Sequence, residues 1–532
     1  MKCNYLLLKN SYQNVKWIEF SINYHKVQDL PYKFDRDLRL DQFDEVIAYC
    51  KNDVKATRQF GEECKDLIKL RIAQDKQYPE LRLRNKADSS VGETLFLKFM
   101  SDAMGVEMKE LKQLRTYRST LEIKDLILPY INFKTPELQQ ALEYFKTATY
   151  GLIGYNAKGE YKRKVLETSI RYQNIDYEFG EGGLHASWQD KIFEADDQFL
   201  IIDWDVESYY PNLAIKNGFR PEHLGDMFSI VYNNIFTERK KFAKGTTENK
   251  SLKIILNGSY GKLKEETSFL YDPKPALQIC INGQLLLAML CERFSMLDGC
   301  TVIQANTDGV TIKIHKSKLD DMMTIVNKWQ KLTKLTLERA DYSKMVISNV
   351  NNYMARDTKG KIKYKGLYEI DPEFHKNKSQ RVVRIALQQY FFDNVPIVTT
   401  IKNHINEKKG YDWDPEKKKF NIKAHGIYDY CHGRKVQWNQ QFVIIKGVEE
   451  EKINQKVIRY YNTTEKTTMM KKYNDGRVEA VNKGYRAKLF QEYREEKEYN
   501  IDFNYYVNEC YKITTPFEGG NPKIGKQLSL FE

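Results

Sequence analysis

The stretch FLIIDWDVESYYPNLAI, Phe199 to Ile215, decides how the whole chain is read. Its apolar run is too short for a helix and delivers Asp205, with Ser208, Tyr209, Tyr210 and Pro211 close behind, so it reads as a buried strand ending at a chemically committed turn. Two later stretches fit the same chemistry. KIILNGSYGKL, from Lys253, reads as a helix that sets Lys253, Asn257, Tyr260 and Gly261 on one face. TVIQANTDGVTIKI, from Thr301, has two β-branched runs flanking Asn306-Thr307-Asp308-Gly309, a hairpin signal with Asp308 at the tip. Packed beside the Asp205 strand, that hairpin would bring a second carboxylate to the first.

Working outward, the 532-residue length suggests several lobes. A formal net charge of +13 makes a polyanion the first partner to consider, although many basic proteins never touch nucleic acid. No apolar stretch reads as a membrane span, and Tyr5 to Leu8 is too short for a signal peptide's apolar region, so the expectation is a cytoplasmic protein with no membrane partner. The eight cysteines are scattered, without a CxxC pair or zinc-ligand spacing, and read as free thiols.

Together the three stretches resemble motifs A, B and C of family B DNA polymerases of the bacteriophage type, whose patterns are DxxSLYPS, KxxxNSxYG and YxDTDS. The resemblance implies a template-directed, primer-dependent DNA polymerase of mixed α/β (α+β) class, with a right-hand architecture of palm, fingers and thumb. It implies two Mg²⁺ ions, or Mn²⁺, held by Asp205 and Asp308 as catalytic carboxylates, because two-metal nucleotidyl transfer needs carboxylates from separate parts of the chain. Motif C departs from the pattern at Gln304, Asn306 and Gly309, and motif B at Gly258. Asp203 is either an auxiliary carboxylate or a solvated or salt-bridged one.

The resemblance further assigns Ser208, Tyr209, Tyr210, Arg239, Lys253, Asn257 and Tyr260 to dNTP binding. The Tyr210 ring would collide with a 2'-hydroxyl, while Tyr209 is equally readable as core. Helices over Asp226 to Phe242 and Thr247 to Gly261 would form the fingers, with Arg239, Lys240, Lys241 and Lys244 as candidate phosphate contacts. Lysines on amphipathic helices are usually solvated, so without motif B these positions carry little weight. Asp205 to Lys253 and Gly261 to Thr301 leave no room for the large insertions of protein-primed phage polymerases, which argues for an ordinary primer-extending enzyme.

The flanks extend the resemblance. Tyr49 and Asp53 share a helix face as a YxxxD like that of proofreading exonucleases, yet no DxE precedes them, so the front end reads as an exonuclease remnant whose missing part a separate chain would supply. In YEFGEGGLHAS, Gly182 and Gly183 fall in a segment similar to the family's template-contacting YxGG turn, or form an ordinary glycine turn. Asn352, Tyr353, Lys365 and Gly366 lie on a basic ribbon resembling the KxY region that grips primer-template DNA, with Asn351 where the Lys would stand. At the end of a Gly- and Pro-containing tail, Gln527, Leu528, Leu530 and Phe531 resemble the pentapeptide that binds the bacterial sliding clamp. The implied organisation is 1–70 exonuclease remnant of RNase H-like fold, 71–198 connecting region, 199–225 and 262–350 palm, 226–261 fingers, 351–513 thumb and 514–532 tail. The rival reading is a non-catalytic subunit that binds primer-template.

Overall fold

The structure, a computed structural model, describes residues 14–30, 32, 37–155, 161–163, 166–406, 412–414, 419–421, 426–446, 449–494 and 498–520. The chain divides into a sheet unit, Leu70–Gly366, and a discontinuous unit made of Met1–Lys69 together with Leu367–Glu532. The first cut, at 69/70, lies beside the boundary expected at 70, and the second, at 366/367, lies past the one expected at 351. The first seventy residues do not stand as a module of their own, and 351–366 belongs with the sheet.

The sheet unit is built on ten antiparallel strands: β1 (Thr168–Tyr172), β2 (Ile175–Gly180), β3 (Gly183–Ser187), β4 (Lys191–Glu194), β5 (Phe199–Val206), β6 (Cys300–Asn306), β7 (Gly309–His315), β8 (Leu337–Asn349), β9 (Asn352–Asp357) and β10 (Ile362–Lys365). Their order is β10-β9-β8-β5-β7-β6-β3-β2-β1, with β4 pairing on β8. β5 is covered on both faces, as its apolar run requires. Ile202, Trp204 and Val206 enter the main core, whereas Ile201 packs on the opposite face with Ile303, Tyr342, Met345 and Tyr353. Strand alternation puts Asp203 and Asp205 on that second face.

Seven helices matter to the site: α1 (Asp88–Met104), α2 (Pro136–Thr147), α3 (Tyr209–Asn217), α4 (Gly225–Lys240), α5 (Thr247–Lys262), α6 (Pro273–Ser295) and α7 (Leu319–Thr333). α6 is the core helix. Asp272 caps it by accepting from Lys274 N, Pro273 occupies its first turn, and Trp329 of α7 donates to the Leu286 carbonyl at 2.9 Å. By length and composition α6 could cross a membrane, but 94% of its most apolar window is buried inside the protein. Its apolar character is masked in the sequence by Asn282, Gln284 and Glu292, and all three buried side chains accept from backbone donors of neighbouring segments. Asn282 accepts from Leu128 N, Gln284 from Gly180 N, and Glu292 from Lys134 N and Thr135 N.

α1 crosses α5 at two glycines. A methyl group on Gly92 would lie 2.6 Å from the Ile254 carbonyl oxygen, so the α5 backbone comes too close for a side chain at this position of α1. Gly258, where motif B usually has Ser, faces Gly92 and Ser89 across the same contact. α4 is tied to α5 by Tyr232, which donates to the Leu256 carbonyl at 2.9 Å. The 71–198 region therefore supplies a third helix to the pair expected as fingers.

The discontinuous unit joins early and late parts of the sequence. Fully buried Arg459 donates to the carbonyls of Tyr24 (2.6 Å), His25 (3.2 Å) and Phe490 (2.8 Å). Phe60, on the helix Phe43–Glu63, packs edge-on against Phe374 with ring centres 5.4 Å apart. All seven described cysteines are free thiols.

Candidate active site

β5 delivers Asp205 near its C-terminal end, directly opposite Gly309 of β7 on one side and Glu338 of β8 on the other. The β6–β7 turn carries Asp308, as its sequence predicts, and Val206 N donates to the Asp308 carbonyl at 2.8 Å. A Cβ at Gly309 would run into the Asp205 carboxylate, so glycine there, a departure from YxDTDS, is what admits the Asp205 side chain. Burial raises the pKa of Asp205, with Asp203, Asp308 and Glu338 adding to the effect and Lys363 opposing it. Asp308 is likewise raised by burial, while Lys363 and Lys365 pull it back.

Asp203 is buried at 4% exposure, with both carboxylate oxygens committed. Thr311 Oγ1 donates to Oδ1 at 2.6 Å, Tyr342 donates to Oδ2 at 2.8 Å, and Lys363 Nζ lies 3.5 Å from Oδ2. The salt-bridged alternative is the one realised.

A cleft of about 860 Å³ opens at the turn; Asp308 lines it and Asp205 does not. Ser208, Tyr210, Arg239, Lys253, Asn257 and Tyr260 line it, so the stretches read as motifs A, B and C meet in one place. Lys253 and Asn257 are exposed on the face of α5 that Tyr260 shares, and the Tyr260 ring sits 4.5 Å from that of Tyr210. Gly261 has open space beside it and does not line the cleft.

The basic cluster sorts itself. Lys240 pairs with Glu207 (3.1 Å), Lys241 with Glu238 (2.6 Å) and Lys244 with Glu338 (3.2 Å). Arg239 reaches only the Ser208 hydroxyl, at 3.3 Å, and its buried Nε has no hydrogen-bond partner among the described residues. Burial works against its charge, lowering its pKa. Among the described residues it is the member of the cluster without a carboxylate partner, and its buried unpaired donor is one an anion would satisfy.

Two expectations are corrected. Tyr209 touches the cleft, but its ring is 4% exposed and its hydroxyl is committed to the Gly283 carbonyl at 2.5 Å, so it anchors α3 to α6 rather than meeting a nucleotide. Tyr353 is 1% exposed in the core beneath the sheet and cannot stack on a base. Of its companions, Asn352 donates to Asn349 Oδ1 at 2.9 Å within the β8–β9 turn, and Gly366 holds a positive φ of 63° packed against Asn351 and Asn352. Lys365 is the one that acts on Asp308.

The glycine turn sits close to the site. Gly183, at φ 120°, lies against Thr307 and the Tyr210 hydroxyl, which donates to the Gly182 carbonyl at 3.5 Å. α6 fixes the turn from below through Gln284, and Lys264 pairs with Glu181 at 2.8 Å.

Sequence reasoning missed Glu338 and Lys363. The signal for Lys363 was the alternation of Lys361, Lys363 and Lys365, which puts three ammonium groups on one face of an edge strand. Only charged alternation marks it, and that pattern also describes any solvated edge.

In the discontinuous unit, Tyr49 and Asp53 share a face of the helix Phe43–Glu63, and Tyr49 hydrogen-bonds Asp53. Asp53 is paired with Lys16, whose Nζ also lies 3.0 Å from Glu19 and 4.7 Å from the Tyr49 ring centre. Burial pushes the Glu19 carboxyl up to about 8, with Lys16 opposing, and its Oε2 has no hydrogen-bond partner among the described residues. An ammonium thus fills the position between these acids. Gln527, Leu528, Leu530 and Phe531 lie outside the described residues.

Among the described residues no group of three or more His, Cys, Asp or Glu side chains is arranged to hold a metal unaided. Neither a family model nor a curated protein matches the sequence. Among solved structures, the chain is similar to the family B DNA polymerase from the hyperthermophilic archaeon Pyrobaculum calidifontis, at 13% identity and a TM-score of 0.40. The match covers 93% of this chain and 58% of that one, so the chain spans little more than half the length of that enzyme.

Proposed function

We propose that the chain is a template-directed, primer-dependent DNA polymerase of bacteriophage type, acting on primer-template DNA and dNTPs in a bacterial host's cytoplasm. The observation that carries this reading is that Asp308, whose charge acts on Asp205 of the neighbouring strand, lines the same cleft as Arg239, Lys253 and Tyr260. Motifs far apart in sequence have no reason to converge on one cleft unless the cleft uses them.

The carboxylates fit divalent cations. They are buried beside two further acids, which penalises their ionised forms and would be relieved by a bound positive charge. Two carboxylates suffice because Mg²⁺ keeps several waters and takes phosphate oxygens as its remaining ligands. When bound, two such ions supply stabilisation of the attacking and leaving oxygens of an in-line phosphoryl displacement. The chain's own residues do the rest. Arg239 and Lys253 hold the triphosphate, Arg239 through its unpaired donor and Lys253 as a mobile point charge. Tyr210, braced by Tyr260, forms the floor under the sugar. Asp53, paired with Lys16, is not available for hydrolysis, so the isolated chain does not proofread.

The test is primer extension with Mg²⁺. Wild-type protein extends a primer in a template-dependent manner, while Asp205→Ala and Asp308→Ala each lose at least about 1,000-fold in rate and retain primer-template binding, which rests on phosphate contacts by cations. Retained extension in either variant overturns the assignment. Binding without extension by the wild type would make the chain a non-catalytic replication subunit.

A further inference from the structure

Asp203 stands two residues before Asp205 on the same strand face, and its carboxylate is spent on Thr311, Tyr342 and Lys363. Burying a carboxylate so close to two others is unfavourable unless it does something, and a hydroxyl pair alone would serve fold stability with less repulsion. What it holds is the Lys363 ammonium. Lys363 lies on β10, its side chain 46% exposed, and its charge acts on Asp203, Asp205 and Asp308 together. Asp203 is anchored on two sides, by β7 through Thr311 and by β8 through Tyr342, so it is a rigid counter-ion for a flexible side chain.

We propose that Asp203 is a positioning residue that keeps Lys363 off Asp205, leaving the Asp205–Asp308 pair free to take up divalent cations. The inference rests on the proposed reading of that pair as the metal-binding carboxylates. Without the Asp203 anchor, the Lys363 chain swings onto the nearest remaining carboxylate and competes with the cation for it. The competition is specific to this chain's own lysine and vanishes if the lysine is removed.

That last point separates positioning from bulk charge. An anion near a cation site strengthens binding by simple Coulomb attraction, and that contribution is lost equally whether or not Lys363 is present. A positioning role is lost only when Lys363 is present. The experiment is a double-mutant cycle in which Mn²⁺ alone is titrated into the full chain and bound metal is read by electron paramagnetic resonance, with no nucleotide or DNA. Asp203→Asn weakens Mn²⁺ binding in both backgrounds through the lost charge, but roughly tenfold more in the wild-type background than in Lys363→Met. Tyr342→Phe, which keeps every charge and loosens the anchor, weakens it in the wild-type background and not in Lys363→Met. It serves if Asp203→Asn fails to fold, which thermal unfolding reports. Asp308→Asn is the control for the site itself. If Asp308→Asn removes Mn²⁺ and the two backgrounds respond equally to both variants, or neither variant has an effect, the proposal alone is overturned. If Asp308→Asn leaves Mn²⁺ binding intact, the reading of the site falls and the proposal with it.

Discussion

Tyr210 is held by contacts of unequal stiffness, its ring against Tyr260 and Tyr209 and its hydroxyl in a long hydrogen bond to Gly182. The ring contacts fix where it stands, so Tyr210→Ala should admit ribonucleotides, lowering discrimination against them by roughly tenfold or more in single-nucleotide incorporation assays. Unchanged discrimination would make the ring a packing element only. Glu19 poses a different question, because its folded form keeps its proton up to about 8 against an ordinary 4.5. Between those values the folded protein binds more protons than the unfolded chain, so stability falls as pH rises through the window. Glu19→Gln removes that slope. Relative to wild type it should gain about 2–4 kcal/mol on going from about pH 5 to about pH 8, read by denaturant unfolding at each pH. An equal difference at both would mean that the Lys16 contact keeps Glu19 ionised throughout.

Among the elements, the crossing of α1 and α5 has the least room for change. A side chain at Gly92 must push α5 away, and α5 carries Lys253, Asn257 and Tyr260. Gly92→Ala should therefore cost about 1–3 kcal/mol in thermal unfolding and raise KM for dNTP more than it lowers kcat. A neutral substitution would mean the helices part freely. The elements were legible where periodicity was strong: α4 and α5 fall on the two stretches read as helices, and the Asp308 hairpin on its turn signal. They were illegible where a pattern had two physical meanings. Met354 and Tyr353, buried under the sheet, look in sequence like part of a basic, aromatic ribbon, because the charges that make it so belong to the partner strand β10. Asp203 and Asp205 alternate identically in sequence, and only Thr311 and Tyr342, brought from other strands, tell them apart. The same holds for the basic cluster, where the carboxylates that occupy three of its members come from Glu207, Glu238 and Glu338.

For the molecule as a whole, the C-terminal pentapeptide gives a prediction independent of the active site. A segment of that size buries little surface and binds on the order of micromolar, which suffices when enzyme and clamp share one DNA. Deleting Gln527 to Glu532 should leave distributive synthesis unchanged and abolish stimulation by a bacterial sliding clamp. Equal stimulation of both forms would rule the tail out. The two-part make-up of the discontinuous unit carries a consequence for how the protein is born. Arg459 closes on Tyr24 and His25, and Phe374 on Phe60, so these earlier residues must wait for partners made more than 300 residues later. Leu70–Gly366, by contrast, holds all its own strands and can close as soon as it has cleared the ribosome. Translation therefore inverts the written order: residues 70–366 can become native before the stretch that precedes them has met Arg459 and Phe374.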